Sequence, residues 1–156
     1  MITNNGDIYD GEQASGTYHG YGIYKWKSGE TYDGQWENGK KHGKGKWIGS
    51  QGDSYEGEYA NNTYDGYGVY KWKASGNVYD GQWENGEKHG KAKWIGSQGD
   101  SYEGEYANNN YHGYGVYKWK SGEMYDGEWQ NGKKHGKGKW IGSQGDSYEG
   151  EYAGGT

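Results

Sequence analysis

A unit of 23 residues returns along the whole chain, and it fixes what the chain can fold into. Its first half reads Tyr-acid-Gly-x-Trp/Tyr and its second half Gly-x-Gly-x-x-aromatic. The units start at Tyr9, Tyr32, Tyr55, Tyr79, Tyr102 and Tyr125, with a partial copy at Tyr148. The spacing slips once, by one residue, in Lys73-Ala74-Ser75-Gly76, where sister copies read Lys27-Ser28-Gly29 and Lys120-Ser121-Gly122. A slip inside a strand would flip every later side chain, so this segment belongs to a turn or a bulge. The pattern predicts a single array over 1–156, in which each unit packs on its neighbours. Odd and even units also differ. Gly66-Tyr67-Gly68-Val69-Tyr70 alternates with Gly43-Lys44-Gly45-Lys46-Trp47, so the larger repeat is a pair of units.

Within the unit the side chains alternate. Tyr32, Gly34 and Trp36 share one face of a strand, and Asp33 and Gln35 share the other. Gly43, Gly45 and Trp47 likewise oppose Lys44 and Lys46. Asn38-Gly39, Asn85-Gly86 and Asn131-Gly132 are positive-φ dipeptides that reverse a chain. Gln-Gly-Asp at 51–53, 98–100 and 144–146 marks the return turns. About thirteen antiparallel strands follow. The chain has 34 glycines, no proline, no cysteine and no phenylalanine, and only 29% of its residues are apolar. Such a composition without order reads as disorder. Here the spaced tyrosines and tryptophans stand in for an aliphatic core. The expectation is an all-β fold, an elongated open antiparallel single sheet of stacked hairpins.

Tyr32-Asp33-Gly34-Gln35-Trp36-Glu37-Asn38-Gly39-Lys40-Lys41-His42-Gly43-Lys44-Gly45 resembles the MORN repeat, and the resemblance runs from Tyr9 to Tyr152. It implies a sheet of stacked hairpins with an aromatic-lined groove. It also implies a scaffold or adaptor that binds partner peptides or helices, and dimerises or binds lipid in some members. Three features depart from the pattern. Gln13 stands where the first unit should carry Trp or Tyr. The odd units have Asn61-Asn62-Thr63 and Asn108-Asn109-Asn110 in place of Asn-Gly. No enzymatic or targeting domain is expected beside the array.

Two surfaces are candidates for function. The first is the inward aromatic trough: Tyr55, Tyr59, Tyr70, Trp72, Trp83, Trp94, Tyr102, Tyr106, Tyr117, Trp119, Trp129 and Trp140. A single sheet has no second layer over this face, so the rings serve packing alone or packing and partner binding. The second is a recurring basic cluster: Lys40, Lys41, Lys44 and Lys46; Lys88, Lys91 and Lys93; Lys133, Lys134, Lys137 and Lys139. It reads as an anionic-lipid surface or, more simply, as cross-strand partners of Asp33, Asp80, Asp126 and Glu128. Outer-face pairs Tyr21/Ile23, Tyr67/Val69 and Tyr114/Val116 form smaller patches.

Other chemistry fares worse. Histidines His19, His42, His89, His112 and His135 fall at most once per unit, roughly 10 Å from the next, too far to share a metal ion. The pairs Glu56/Glu58, Glu103/Glu105 and Glu149/Glu151 recur on the wet face, where nothing drives their pKa values apart. A net charge of −5 and the lack of arginine argue against nucleic acid. No catalytic residue, cofactor or metal is therefore expected.

The reading is a non-catalytic scaffold that holds a protein partner, as a peptide or helix, in the trough, or that self-associates. Self-association would run edge to edge, as a homodimer or oligomer, through the unguarded terminal strands at Tyr9 and Tyr148. The alternatives are peripheral binding to an anionic membrane, glycan binding by ring stacking, and a consensus-built array with no biological role. The expected location is cytoplasmic, with cytoskeletal or membrane association.

Overall fold

The computed structural model describes residues 1–155. Thirteen strands follow one another in chain order in one antiparallel sheet, and there is no helix among the described residues. They are β1 (Ile8–Ala14), β2 (Thr17–Lys25), β3 (Thr31–Glu37), β4 (Lys40–Ile48), β5 (Ser54–Ala60), β6 (Thr63–Lys71) and β7 (Val78–Glu84). Then come β8 (Glu87–Ile95), β9 (Ser101–Ala107), β10 (Asn110–Lys118), β11 (Met124–Gln130), β12 (Lys133–Ile141) and β13 (Ser147–Tyr152). Two compact units divide the chain. The first holds Met1–Ala74 with Trp83–Gly86; the second holds Ser75–Gln82 and the residues from Glu87 onward. The same construction recurs in each.

Every hairpin closes on two residues with positive φ. Asn38-Gly39 does so at φ 52° and 80°, as expected from the dipeptide. In the odd units Asn61-Asn62 replaces it at φ 51° and 71°, and Asn108-Asn109 at 50° and 70°. Asparagine tolerates this region better than other side-chain-bearing residues. Asn62 also uses its side chain, accepting a bond from Lys41 N at 2.8 Å, and Asn109 does the same for Lys88 N at 2.8 Å. The departure from Asn-Gly thus links one hairpin to the preceding one.

The hairpins β1/β2, β3/β4, β5/β6, β9/β10 and β11/β12 also carry a bulge each, whereas the pairs β2/β3, β4/β5, β8/β9, β10/β11 and β12/β13 keep an unbroken register. Gly34 pairs with Gly45 and Trp36 with Lys41, so three residues of β4 lie opposite Gln35 alone. Gly43 sits inside this bulge at φ 67°, a conformation that favours glycine. Carboxylates hold the freed backbone in place. Glu58 accepts from Tyr67 N at 2.7 Å, Glu105 from Tyr114 N at 2.8 Å and Glu128 from Lys137 N at 2.6 Å.

The core is a row of tyrosines. Tyr9, Tyr32, Tyr55, Tyr79, Tyr102 and Tyr125, the first residue of each full unit, are the most completely buried side chains. Each hydroxyl donates to the carbonyl three residues on, as in Tyr32 to Gln35 at 2.7 Å and Tyr55 to Glu58 at 2.7 Å. The ring lies across a pair of facing glycines. A Cβ on Gly34 would run into the Gly45 Cα, and would lie 2.7 Å from the Lys44 carbonyl and 2.8 Å from the Tyr32 hydroxyl. Tryptophans Trp36, Trp83 and Trp129 close the row, each donating its indole N–H to a glycine carbonyl at 3.1 Å.

One expectation about the edges changes. Residues before β1 fold back on it: Ile2 bridges Ile8, Tyr9 N donates to Met1 O at 2.8 Å, and Met1 N donates to Tyr9 O at 2.6 Å. The Tyr9 strand is therefore not an unguarded edge.

Gly34→Ala forces a methyl against backbone and should cost about 3 kcal/mol in urea unfolding, the upper part of the usual overpacking range. Gly39→Ala, at a turn with open space around the Cβ, should cost about 1 kcal/mol from its left-handed backbone alone.

Burial also predicts alkaline unfolding. It pushes the Tyr24 and Tyr125 phenols up to about 12, and raises those of Tyr32, Tyr55, Tyr59, Tyr79, Tyr102 and Tyr106 further. The unfolded chain ionises near the ordinary tyrosine value of about 10. Their stabilisation is therefore complete below pH 10 and disappears as the pH rises above it. Tyrosinate absorbance and loss of β circular dichroism should rise together between pH 10 and 12. Titration of the rings ahead of unfolding would contradict the burial.

Candidate binding surface

The alternation puts two chemistries on the two faces. On the outer face charges of opposite sign stand next to one another across strands. Lys46 is opposite Asp33 on one side and Glu56 on the other, with Glu56 4.0 Å away. Lys44 faces Glu58, Lys91 faces Glu105, Lys93 faces Glu103 and Lys137 faces Glu151; Lys139 lies between Asp126 and Glu149. His42 contacts Glu37 at 3.1 Å. The outer tyrosines join this pattern: the Tyr21 hydroxyl bonds Asp33, and that of Tyr114 bonds Asp126. Two shallow open grooves run over this face. The first unit's, of about 760 Å³, lies between Tyr21 and Tyr67 over Gly34, Gly45 and Gly57. The second unit's lies beside Tyr114 over Gly127, Gly138 and Gly150.

Three members of the expected basic cluster are elsewhere. Lys41, Lys88 and Lys134 lie on the aromatic face, and this corrects their grouping with the outward lysines. Register is the cause: Lys41 is the direct partner of Trp36, and Lys134 of Trp129. The Lys41 ammonium lies 5.1 Å from the Trp26 ring centre, 5.6 Å from Tyr32 and 5.9 Å from Tyr59. Lys88 lies over Tyr79 and Tyr106 at 5.6 and 5.9 Å. Lys134 lies over Trp119, Tyr125 and Tyr152 at 5.3, 5.4 and 5.7 Å. Burial lowers the Lys41 and Lys88 ammonium pKa values, and the Glu30 charge partly offsets this at Lys41. Lys40, Lys44, Lys46, Lys91, Lys93, Lys133, Lys137 and Lys139 remain exposed.

The aromatic trough separates into a buried floor and an accessible upper row. Tyr55, Tyr59, Trp83, Tyr102, Tyr106 and Trp129 are buried. Tyr70, Trp72, Trp94, Tyr117, Trp119 and Trp140 are half-buried, with Trp26 and Trp47 beside them in the first unit. The upper rings touch one another: Tyr70 meets Trp72 at 4.5 Å, and Tyr117 meets Trp119 at 4.5 Å and Trp94 at 6.3 Å. Loop carboxylates fix them. Asp53 accepts from the Tyr70 hydroxyl at 3.3 Å and Lys73 N at 2.9 Å; Asp100 accepts from Tyr117 at 3.1 Å and Lys120 N at 2.8 Å. Trp47 and Trp140 donate to Glu30 and Glu123 at 3.3 and 3.4 Å. Sequence reading missed these acids. Their 47- and 93-residue recurrences were the available signal.

A small pocket of about 180 Å³ opens on this face in the first unit, lined by Lys41, Trp47, Tyr59, Asn62, Thr63, Tyr64 and Gly86. The Tyr59 hydroxyl at its wall is buried and has no hydrogen-bond partner. Among the described residues no three His, Asp or Glu side chains converge as metal ligands.

Because burial disfavours the Lys41 charge, Lys41→Met, which keeps the stem on the rings, should not lower the urea midpoint. A clear loss of stability would make the ammonium part of the structural core.

Compared with known proteins, the chain matches the family model described as MORN repeat over residues 9–31, 32–54, 55–76, 79–101, 102–124 and 125–147. No curated protein matches it in sequence. Among solved structures, a catalytically inactive virginiamycin B lyase from Staphylococcus aureus, crystallised with quinupristin, is similar at 20% identity and a TM-score of 0.23. That match covers 95% of this chain and 47% of the lyase chain.

Proposed function

The chain belongs to the MORN-repeat family, and on that premise we propose that it is a non-catalytic scaffold whose inner aromatic face holds a helical segment of a protein partner. One observation carries the reading. The upper row of Trp and Tyr rings is half-exposed above a buried floor, on a face that its own sheet cannot cover. Contiguous rings that keep part of their surface accessible in this way suit an interaction surface, and Trp and Tyr are the side chains most enriched where binding energy concentrates. The rings are also held in place by Asp53, Asp100, Glu30 and Glu123, so little ordering cost remains for binding.

The outer face supports a membrane role less well. Seven of its exposed lysines, Lys40 opposite Glu37 among them, stand opposite carboxylates on a neighbouring strand, so the local field on an anionic bilayer is small. The outer glutamates Glu58, Glu105 and Glu128 are occupied by backbone N–H groups, which argues for a structural duty over acid–base work.

A photo-crosslinking amino acid placed at position 119 should capture a protein from the native extract, and the same group at position 114 on the outer face should not. Capture at 114 alone, or equal capture at both, would defeat the proposal.

A further inference from the structure

We propose that the inward lysines are carboxylate seats, and that the partner held on the aromatic face is an acidic amphipathic helix that places Glu or Asp side chains on them. This rests on the reading that the inner face holds a protein segment, and it adds the chemistry of that segment. Two independent observations meet at one pocket. The Lys41 ammonium is partly buried among three rings, and among the described residues no carboxylate forms an ion pair with it. Its nearest acidic influence, Glu30, is engaged by the Trp47 indole N–H at 3.3 Å. Beside it the Tyr59 hydroxyl is buried and unpartnered. Burial keeps that phenol protonated, so it can donate. An ammonium and a phenol hydroxyl are the donors a carboxylate takes, and charge-assisted bonds of this kind are the strong ones. The pocket, of about 180 Å³, suits a single acidic side chain, with Trp47 and Tyr64 to cover its methylenes.

The placing of an inward ammonium over rings repeats at pair-of-unit spacing. In the second unit Lys88 and Lys134 are on β8 and β12, four strands apart, roughly 19 Å along the stacking direction. A helix lying across the strands spans that distance in about 13 residues. Acidic positions about 14 apart, roughly four turns and about 21 Å along the helix, stay on its apolar face and would meet both lysines. Such a face also avoids the outer surface, where carboxylates already occupy the facing positions.

The test uses the full chain and two capped helical peptides with a Leu-rich face. One carries Glu at two positions about 14 residues apart on that face, and the other carries Gln there. By isothermal titration the Glu peptide should bind about tenfold more tightly, and added salt should erase the gap. The Lys88→Met/Lys134→Met variant should lose most of the preference, and adding Tyr59→Phe/Lys41→Met, which removes the first unit's seat, should abolish what remains. The outer-face control Lys91→Met/Lys137→Met should keep the full preference. Equal affinity for the two peptides, or a preference that survives in the inner variant and vanishes in the outer one, overturns the assignment. So does co-sedimentation with phosphatidylserine vesicles that depends on Lys88 and Lys134, which would make the seat a lipid one. Trp119→Ala separates the two levels. If it weakens both peptides while the lysine variants weaken neither, the inner face is a protein surface and the carboxylate assignment is wrong. If it weakens neither, the inner-face reading falls as well.

Discussion

The seating of one tyrosine ring across two facing glycines is the constraint on which the fold depends. Tyr32 covers Gly34 and Gly45, Tyr55 covers Gly57 and Gly68, and Tyr102 covers Gly104 and Gly115. Gly34 needs its lack of side chain for the backbone–backbone approach, and Gly45 for the ring. The ring is then shielded from water and its hydroxyl bonds the backbone of its own strand, so no polar atom is stranded. Ala92 is the one departure, replacing the second glycine under Tyr79, and it is itself buried. The two glycines therefore differ: the ring-side seat accepts a methyl in one copy, whereas the backbone-side seat is glycine in all.

The bulge follows from this geometry. Bringing two glycine strands into contact under a ring requires a local change of pairing next to it, and the positive-φ glycines Gly43, Gly90 and Gly136 supply the backbone for it. The bulge adds two residues on one strand, an even number, so residues on either side keep their faces. Lys41 therefore shares a face with Gly45 and Trp47 and is the partner of Trp36.

Much of this was legible in the residues. Strand number, hairpin positions and the burial of Tyr32, Tyr55, Trp83 and Trp129 all follow from alternation and turn dipeptides. Alternation also contained the position of Lys41, since 41, 43, 45 and 47 have the same parity; neighbours in sequence suggested a basic cluster that the pleat divides. Asn61-Asn62 was legible as a hairpin loop from its place in the repeat, although the usual glycine is absent and two successive left-handed asparagines are uncommon. Recurrence marked Asp53 and Asp100, but which residues they partner, Tyr70 and Tyr117, was illegible. These partnerships join a return loop to the end of the long strand of the following hairpin, and neither strand pairing nor periodicity within a unit specifies which atoms meet there.

The alternation of odd and even units acquires a physical meaning at the inner position opposite the unit's Trp or Tyr. In odd units it is tyrosine: Tyr64 stacks on Tyr55 at 4.0 Å and Tyr111 on Tyr102 at 4.1 Å. In even units it is lysine, and Tyr32 and Tyr79 instead meet Tyr59 and Tyr106 edge-on at 5.2 Å. Stability alone favours tyrosine at every copy, because a ring completes the stack and carries no charge to desolvate. A lysine at every second copy gives up that stack and places cations at regular intervals in an aromatic surface. A uniform array would offer a partner no preferred register along the stacking direction, and the double period supplies one.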